Sequence, residues 1–300
     1  MKRAAPPCLG PRKTVAVPSW RPPAGCWDTQ FHVLGPEHRH PYSPDRHYTP
    51  PAARLEDYFA LLDALGLERA FVVHANTQGP GNEIYLEAVG QAPGRLLAVV
   101  RLDRTCTPET VRDLHRRGAR GVRFAFNPQH GGRFDPSVVQ HVLQCIRPWH
   151  WFVQLHFDGA RLPELEPWIA GLDVPVLIDH LGRVAIPEGL DSEPQRALLR
   201  LSQRRHVWVK LSGLDRVCAP GAPLDTAIPL MRRVAENALD RLTWGSDWPH
   251  TGYFSPARMP DDGALFETFV RAFTVAERIA ILRDNPGRLA GLPPSLHTPG

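Results

Sequence analysis

Eight short apolar runs, separated by longer segments of helical periodicity, constrain the fold of this chain more than any other feature. The first surrounds Trp27. Phe71–Val73, Leu96–Val100, Gly121–Phe124, Trp151–Leu155, Val174–Ile178, Val207–Leu211 and Arg241–Trp244 follow. Between them Leu55–Leu65, Ile84–Val89, Pro108–Arg117, Pro136–Cys145, Glu193–Arg204 and Ile228–Ala238 read as amphipathic helices. Strands alternating with helices predict parallel pairing, and eight such units predict a closed barrel. An open doubly wound sheet usually begins with a glycine-rich turn, and Gly79-Pro80-Gly81 lacks that spacing. A chain of 300 residues is long enough, since α/β barrels take about 250. The expected architecture is therefore a single-domain (β/α)8 TIM barrel over residues 26–293. A flexible tail is expected over 1–25, and a short C-terminal one over 294–300.

Polar residues gather where the apolar runs end. Gln30 and His32 follow the first run; His74, Asn76 and Gln78 follow the second. Arg101 and Asp103 follow the third, Arg123 and Asn127 the fourth, and His156 and Asp158 the fifth. Asp179, His180 and Arg183 follow the sixth, Lys210 and Ser212 the seventh, and Asp247 and His250 the eighth. The C-terminal ends of barrel strands are where active sites are built, so this distribution predicts an enzyme. Within the first run, side chains two apart share a face of a strand, which groups Gln30 with His32 and sets Asp28 beneath them. Two histidines so placed would be a metal pair, whereas a glutamine is a poor ligand for a transition metal.

Composition narrows the partners. The net charge of +4 is mild, and Arg116, Arg117, Arg120 and Arg123, like Arg200, Arg204 and Arg205, bracket helix-to-strand junctions instead of forming a basic stripe. No nucleic-acid partner is expected. The five cysteines are odd in number and free of any Cys-x-x-Cys pattern, which fits a reducing compartment. Met1–Gly25 has no apolar h-region and nothing later approaches a membrane span, so a cytoplasmic protein without membrane contact is expected. The sequence leaves a homo-oligomer open.

Several motifs carry a resemblance. They are Asp28-Thr29-Gln30-Phe31-His32 with Gly35-Pro36, Tyr42 through Pro50 with Arg46 and Tyr48, and Gly121-Val122-Arg123-Phe124. Further along come Gln154-Leu155-His156-Phe157-Asp158, Ile178-Asp179-His180-Leu181-Gly182-Arg183, Trp244-Gly245-Ser246-Asp247-Trp248-Pro249-His250, and Asn285-Pro286-Gly287-Arg288-Leu289. In this order they resemble the amidohydrolase superfamily, in its branch of 2-pyrone-4,6-dicarboxylate lactonase-like and sugar-lactone hydrolases. The first motif is also similar to that of D-galactarolactone isomerase. Superfamily members commonly hold a divalent metal through a His-x-His pair, two later histidines and an aspartate. Here His32, His156, His180 and Asp247 match that set, and Gln30 stands at the first histidine. The resemblance implies a branch that works without metal, and no cofactor is expected.

The implied substrate is a small carboxylated lactone. Its hydrolysis needs a base for water, donors for the carbonyl oxygen and an acid for the leaving oxygen. Asp247 suits the base, with a pKa raised by partial desolvation; Gln30, His32 and His180 suit the carbonyl oxygen. Arg123, Arg183 and Arg46 suit a substrate carboxylate, with Asn76, Tyr48 and His156 as further substrate contacts. Blander readings stand beside these. His32 and His180 can be core histidines, Asp28 a cap of the first strand, Arg123 a rim ion pair and Lys210 a buried structural ion. The segment His38–Tyr48 is either a lid or a solvated turn, and Trp149–Phe152 reads as core. Three alternatives remain: a lactone isomerase on the same parts, a metal-dependent hydrolase or decarboxylase, and a binding barrel without catalysis.

Overall fold

The computed structural model of the chain describes residues 5–126, 134–186 and 191–292. Strands β1 (Trp27–Phe31), β2 (Arg69–Val73), β3 (Leu96–Val100), β4 (Ala119–Ala125), β5 (Phe152–His156), β6 (Val176–Ile178), β7 (Val207–Leu211) and β8 (Leu242–Trp244) pair in parallel, in sequential order. The circle closes between its first and last strands. Thr29 Oγ1 donates to Trp244 O at 2.8 Å, and beyond β8 the N–H of Asp247 reaches Gln30 O, also at 2.8 Å. All eight strands were legible as apolar runs. β6 is shorter than its run because Pro175 has no N–H to give to the ladder.

Helices α1 (Leu55–Leu65), α2 (Glu83–Gln91), α3 (Pro108–Arg116), α4 (Pro136–Ile146), α5 (Leu162–Ala170), α6 (Glu193–Ser202), α7 (Leu214–Val217), α8 (Ile228–Ala238) and α9 (Asp262–Ala272) alternate with the strands or follow the last. Local chemistry starts several of them. Thr107 caps α3 by accepting from Thr110 N, Asp135 caps α4 by accepting from Ser137 N, and proline occupies the first turn of both. The periodicity did not reveal α5, where Pro163 and Pro167 interrupt the pattern.

Apolar packing falls into two bodies. The larger lies between sheet and helices. The smaller fills the lower barrel with Trp27, Phe71, Val73, Val99, Phe152, Leu177 and Trp208, closed off by Leu289 and Ala290. Asn285 locks that closure by donating to Leu239 O at 2.9 Å and Leu242 O at 2.8 Å. A filled floor leaves polar side chains to the upper layers of the same strands.

Residues 5–25, expected as a loose tail, are instead tied to the barrel. Cys8 N donates to Thr49 O at 3.0 Å and Leu9 N to Tyr253 O at 2.8 Å. Arg12 Nη2 reaches Met259 O at 2.9 Å, and Ser19 N reaches Glu267 at 2.8 Å. The C-terminal tail, 294–300, and Asn127 lie outside the described residues. Among the described residues no helix is long and apolar enough to cross a membrane.

Candidate active site

Above the apolar floor lies a layer of buried charge. Lys210 of β7 is wholly buried and places Nζ 2.5 Å from Gln30 Oε1 and 3.2 Å from Asp179 Oδ1. Gln154 of β5 donates to the same Gln30 oxygen at 2.8 Å and to Asp179 Oδ2 at 3.0 Å. Arg123 of β4 pairs with Asp179 at 3.2 Å and donates from Nη1 to His74 O and Asn76 Oδ1. Burial lowers the Lys210 pKa to about 8, with Asp179 opposing, and Asp179 stays below its ordinary range: burial would raise it, but Lys210 and Arg123 pull it down.

With its oxygen held twice, Gln30 turns its amide nitrogen toward His32 Nε2, 3.4 Å away. His32 Nδ1 sits 2.7 Å from Val73 O, and a carbonyl only accepts, so Nδ1 carries a proton. His32 Nε2 therefore faces Asp247 Oδ1 at 3.5 Å, and His180 Nε2 approaches the same oxygen at 3.7 Å. His180 Nδ1 meets Ser212 Oγ at 2.8 Å. Burial lowers the His180 pKa to about 4, so this ring is neutral near pH 7. Asp247 does not follow the expected upward shift. Burial does push it up, but His180, the His32 hydrogen bond and the Arg216 guanidinium hold it well below the usual carboxylate range.

The backbone beneath these groups is strained. His180, Arg183 and Asp247 have φ of 52°, 53° and 66°, in the left-handed region that side chains other than glycine rarely adopt. Each such residue costs about 1–3 kcal/mol and persists where surroundings fix it. Close backbone approach fixes Asp247: a Cβ on Gly245 would lie 2.5 Å from Gln30 Cβ, so only glycine lets β8 come this near β1.

The first strand departs from simple alternation. Its register against β2 shifts between Asp28 and Phe31, which is a β-bulge. Gln30 consequently points into the barrel, whereas Asp28 turns to the outer layer. There it accepts from Tyr58 Oη of α1 at 3.0 Å, and from Ser246 Oγ at 2.6 Å and Ser246 N at 3.0 Å. The expectation that Asp28 lies under Gln30 and His32 fails for that reason. Burial raises its pKa to about 6, against those hydrogen bonds, and it holds Ser246, the residue before Asp247.

The remaining expected contacts divide. His156 and Asn76 join the mouth: Asn76 Nδ2 lies 3.5 Å from His156 Nδ1, and the His156 ring stands edge-on to His180 at 5.6 Å. Tyr48 Oη bonds Thr251 Oγ1 at 2.8 Å, in the loop after β8. Arg123 is engaged below the mouth as described. Arg46 is engaged in its own loop, by Thr49 Oγ1 and Ser43 O and by Glu37 at 3.1 Å. Arg183 is different. It stands among Arg216, Asp247, Asp158 and Asp215, and among the described residues its guanidinium has no hydrogen-bond or ion-pair partner. The segment His38–Tyr48 is pinned where Gln78 Nε2 donates to His40 O and Pro41 O, both at 2.9 Å.

The sequence profile of the family described as amidohydrolase matches residues 27–292. The chain belongs to the amidohydrolase family. It is 46% identical over 289 residues to the 4-sulfomuconolactone hydrolase of Rhizobium radiobacter, covering 96% of this chain and 97% of that one. It is 33% identical to the 2-pyrone-4,6-dicarboxylate hydrolase of Comamonas testosteroni, covering 91% and 92%. A ligand-free crystal structure from Agrobacterium tumefaciens superposes with a TM-score of 0.82 at 28% identity, covering 92% of this chain and 99% of that one. This amidohydrolase is accordingly an enzyme, a hydrolase on a single-domain (β/α)8 barrel.

A metal pair on the first strand of this amidohydrolase does not fit the residues present. The one donor oxygen of Gln30 is taken by Gln154 and by the Lys210 ammonium, and a fixed cation at 2.5 Å repels a second one. Sequence reasoning missed Gln154 and Arg216 as site groups and left Lys210 undecided. Gln154 and Lys210 interrupt apolar strands, and that interruption was the available signal. Arg216 lies on α7, beyond any strand end, and carried none.

Proposed function

We propose that this amidohydrolase hydrolyses a small lactone bearing an anionic substituent, without a metal. The observation that carries the reading is the convergence of His32 Nε2 and His180 Nε2 on Asp247 Oδ1, with Gln30 Nε2 beside His32 and Lys210 seated behind Gln30. Asp247, ionised at neutral pH, takes a proton from water as its oxygen attacks the lactone carbonyl carbon. The carbonyl oxygen gains charge against the Gln30 amide N–H, which Lys210 polarises through Oε1. The neutral His180 ring adds a second donor at Nε2 when Ser212 Oγ donates to Nδ1. Collapse breaks the ring C–O bond, and the leaving oxygen recovers the proton from Asp247. The new carboxylic acid ionises, so each turnover releases one proton.

Arg183 is placed to hold the anionic substituent, because a guanidinium fork matches a carboxylate or sulfonate. Asn76, His156 and Tyr48 line the same mouth as substrate contacts. The names of the relatives support this class: two of them act on a sulfonated or a dicarboxylated lactone. The test is proton release from 4-sulfomuconolactone and 2-pyrone-4,6-dicarboxylate in weak buffer, before and after exhaustive chelation. The expected result is ring opening at the same rate in both. Activity that vanishes on chelation and returns with added metal refutes the mechanism. A lactone consumed without proton release makes the protein an isomerase.

A further inference from the structure

Away from the barrel mouth, Cys106, His141 and Cys145 bring one ring nitrogen and two sulfurs within 4.8 Å of one another. Cys106 ends the loop that enters α3, just before the Thr107 cap, and His141 and Cys145 stand four apart on one face of α4. Both cysteines are 5% exposed, and His141 is half-buried and opens the cluster to solvent. A backbone oxygen lies among them. Cys106 O accepts from His141 Nε2 at 2.9 Å and from Cys145 Sγ at 3.7 Å.

Buried cysteines usually serve as small apolar side chains, and packing alone does not require two of them beside an imidazole. Cys8, Cys26 and Cys218 are also buried, yet among the described residues none of them joins such a donor cluster. Ligand type selects the ion. Two sulfurs and an imidazole suit Zn²⁺ or Cu⁺ and exclude Mg²⁺ and Ca²⁺, which demand oxygen. Zinc bonds of about 2.3 Å to sulfur and 2.0–2.1 Å to nitrogen put tetrahedral ligand atoms about 3.5–3.8 Å apart. The observed spacing lies within a side-chain adjustment of that. Burial raises the Cys106 thiol to about 12, with Cys145 adding to the rise, so Cys106 keeps its proton until a cation displaces it.

We propose that Cys106, His141 and Cys145 form a binding site for a thiophilic d¹⁰ cation of the zinc type. The bound ion would join the loop before α3 to α4, with the fourth position left to water or to Cys106 O. Each thiol that ligates releases its proton to solvent, so binding liberates up to two protons per ion. The site is separate from the Asp247 cluster and does not depend on the lactone reading.

The test uses the full chain, thiols reduced and metal removed, titrated with Co²⁺ and then Zn²⁺. A thiolate-to-cobalt charge-transfer band in the near ultraviolet is expected, lost again on adding equimolar Zn²⁺. One zinc per chain is expected, with a higher Tm when it is bound. Cys145→Ser should abolish the band and His141→Ala should weaken zinc binding at least about tenfold, a threshold that corresponds to 1.4 kcal/mol. Lactone turnover should be unchanged in both variants. Absence of the band in the reduced protein overturns the proposal, and so does a band that persists in Cys145→Ser. A mass two hydrogens lower in untreated protein, mapped to a Cys106–Cys145 bond, also overturns it, because that cluster would then be a disulfide.

Discussion

Replacing Lys210 with methionine removes the charge behind the Gln30 amide and keeps most of the side-chain volume in a wholly buried position. Two losses follow, and they are separable. Asp179 loses one counter-ion but keeps Arg123 at 3.2 Å and Gln154 at 3.0 Å. Its destabilisation therefore falls near or below the lower end of the about 3–5 kcal/mol typical of a broken buried pair. The catalytic loss is larger in effect. Gln154 still orients the Gln30 oxygen, but the donor facing the substrate carbonyl is no longer polarised. Losing one such donor outright costs about 10²–10³ in kcat, so a fall of about 10² is expected with a small change in KM.

The pH profile tests the charge itself. Burial sets the Lys210 pKa at about 8, below the 10.5 of a free lysine. The ammonium is thus present below about pH 8 and lost as pH rises through it. The wild-type enzyme should show an alkaline decline in kcat/KM centred there, after subtraction of hydroxide-driven hydrolysis. Lys210→Met should lack that limb and run at the lower level throughout. Lys210→Arg, whose charge does not titrate in this range, should recover part of the rate and also lack the limb. Initial rates by proton release or ring absorbance, with thermal melts as a folding control, decide it. A Lys210→Met protein with wild-type kcat/KM, or with the same alkaline limb, refutes the polarised-amide argument.

Asp247→Asn should lower kcat by about 10²–10⁴ while substrate still binds, measured by single-turnover kinetics and by ligand-induced Tm shift. Because the Asp247 carboxyl is held well below its usual range and the His180 pKa is about 4, protonation of these two groups should leave rates unaffected as pH falls from 7 toward 5. Arg183→Met should raise KM about 10–100-fold for an anionic lactone, the equivalent of one charged hydrogen bond, and leave a neutral analogue almost unaffected. Gly245→Ala places a methyl group 2.5 Å from Gln30 Cβ. It should cost about 1–3 kcal/mol in urea unfolding and lower kcat, since β1 and Asp247 are forced apart.

The strands and the mouth residues were readable from sequence because both follow a simple period: apolar positions within a strand, polar positions at its end. What defeated sequence reasoning broke that period. The bulge in β1 adds one residue between Asp28 and Phe31, which sends Asp28 outward to Tyr58 and keeps Gln30 inside with Lys210. Nothing in Asp28-Thr29-Gln30-Phe31-His32 announces an inserted residue, because a bulge is set by the neighbouring strands. The partners of Arg123 were hidden on similar grounds. Its position at a strand end suggested a substrate contact, but Asp179 two strands away meets it first, and that partner is visible only once the barrel closes. Asp247 shows the same dependence in its chemistry. Burial alone argued for a raised pKa, and the opposite shift comes from His32, His180 and Arg216, contributed by three other parts of the chain. Local sequence thus locates the side chains that gather at the barrel mouth, while their ionisation and availability are properties of the closed ring. That is why Lys210, a residue the sequence left undecided, is the sharper probe of this site.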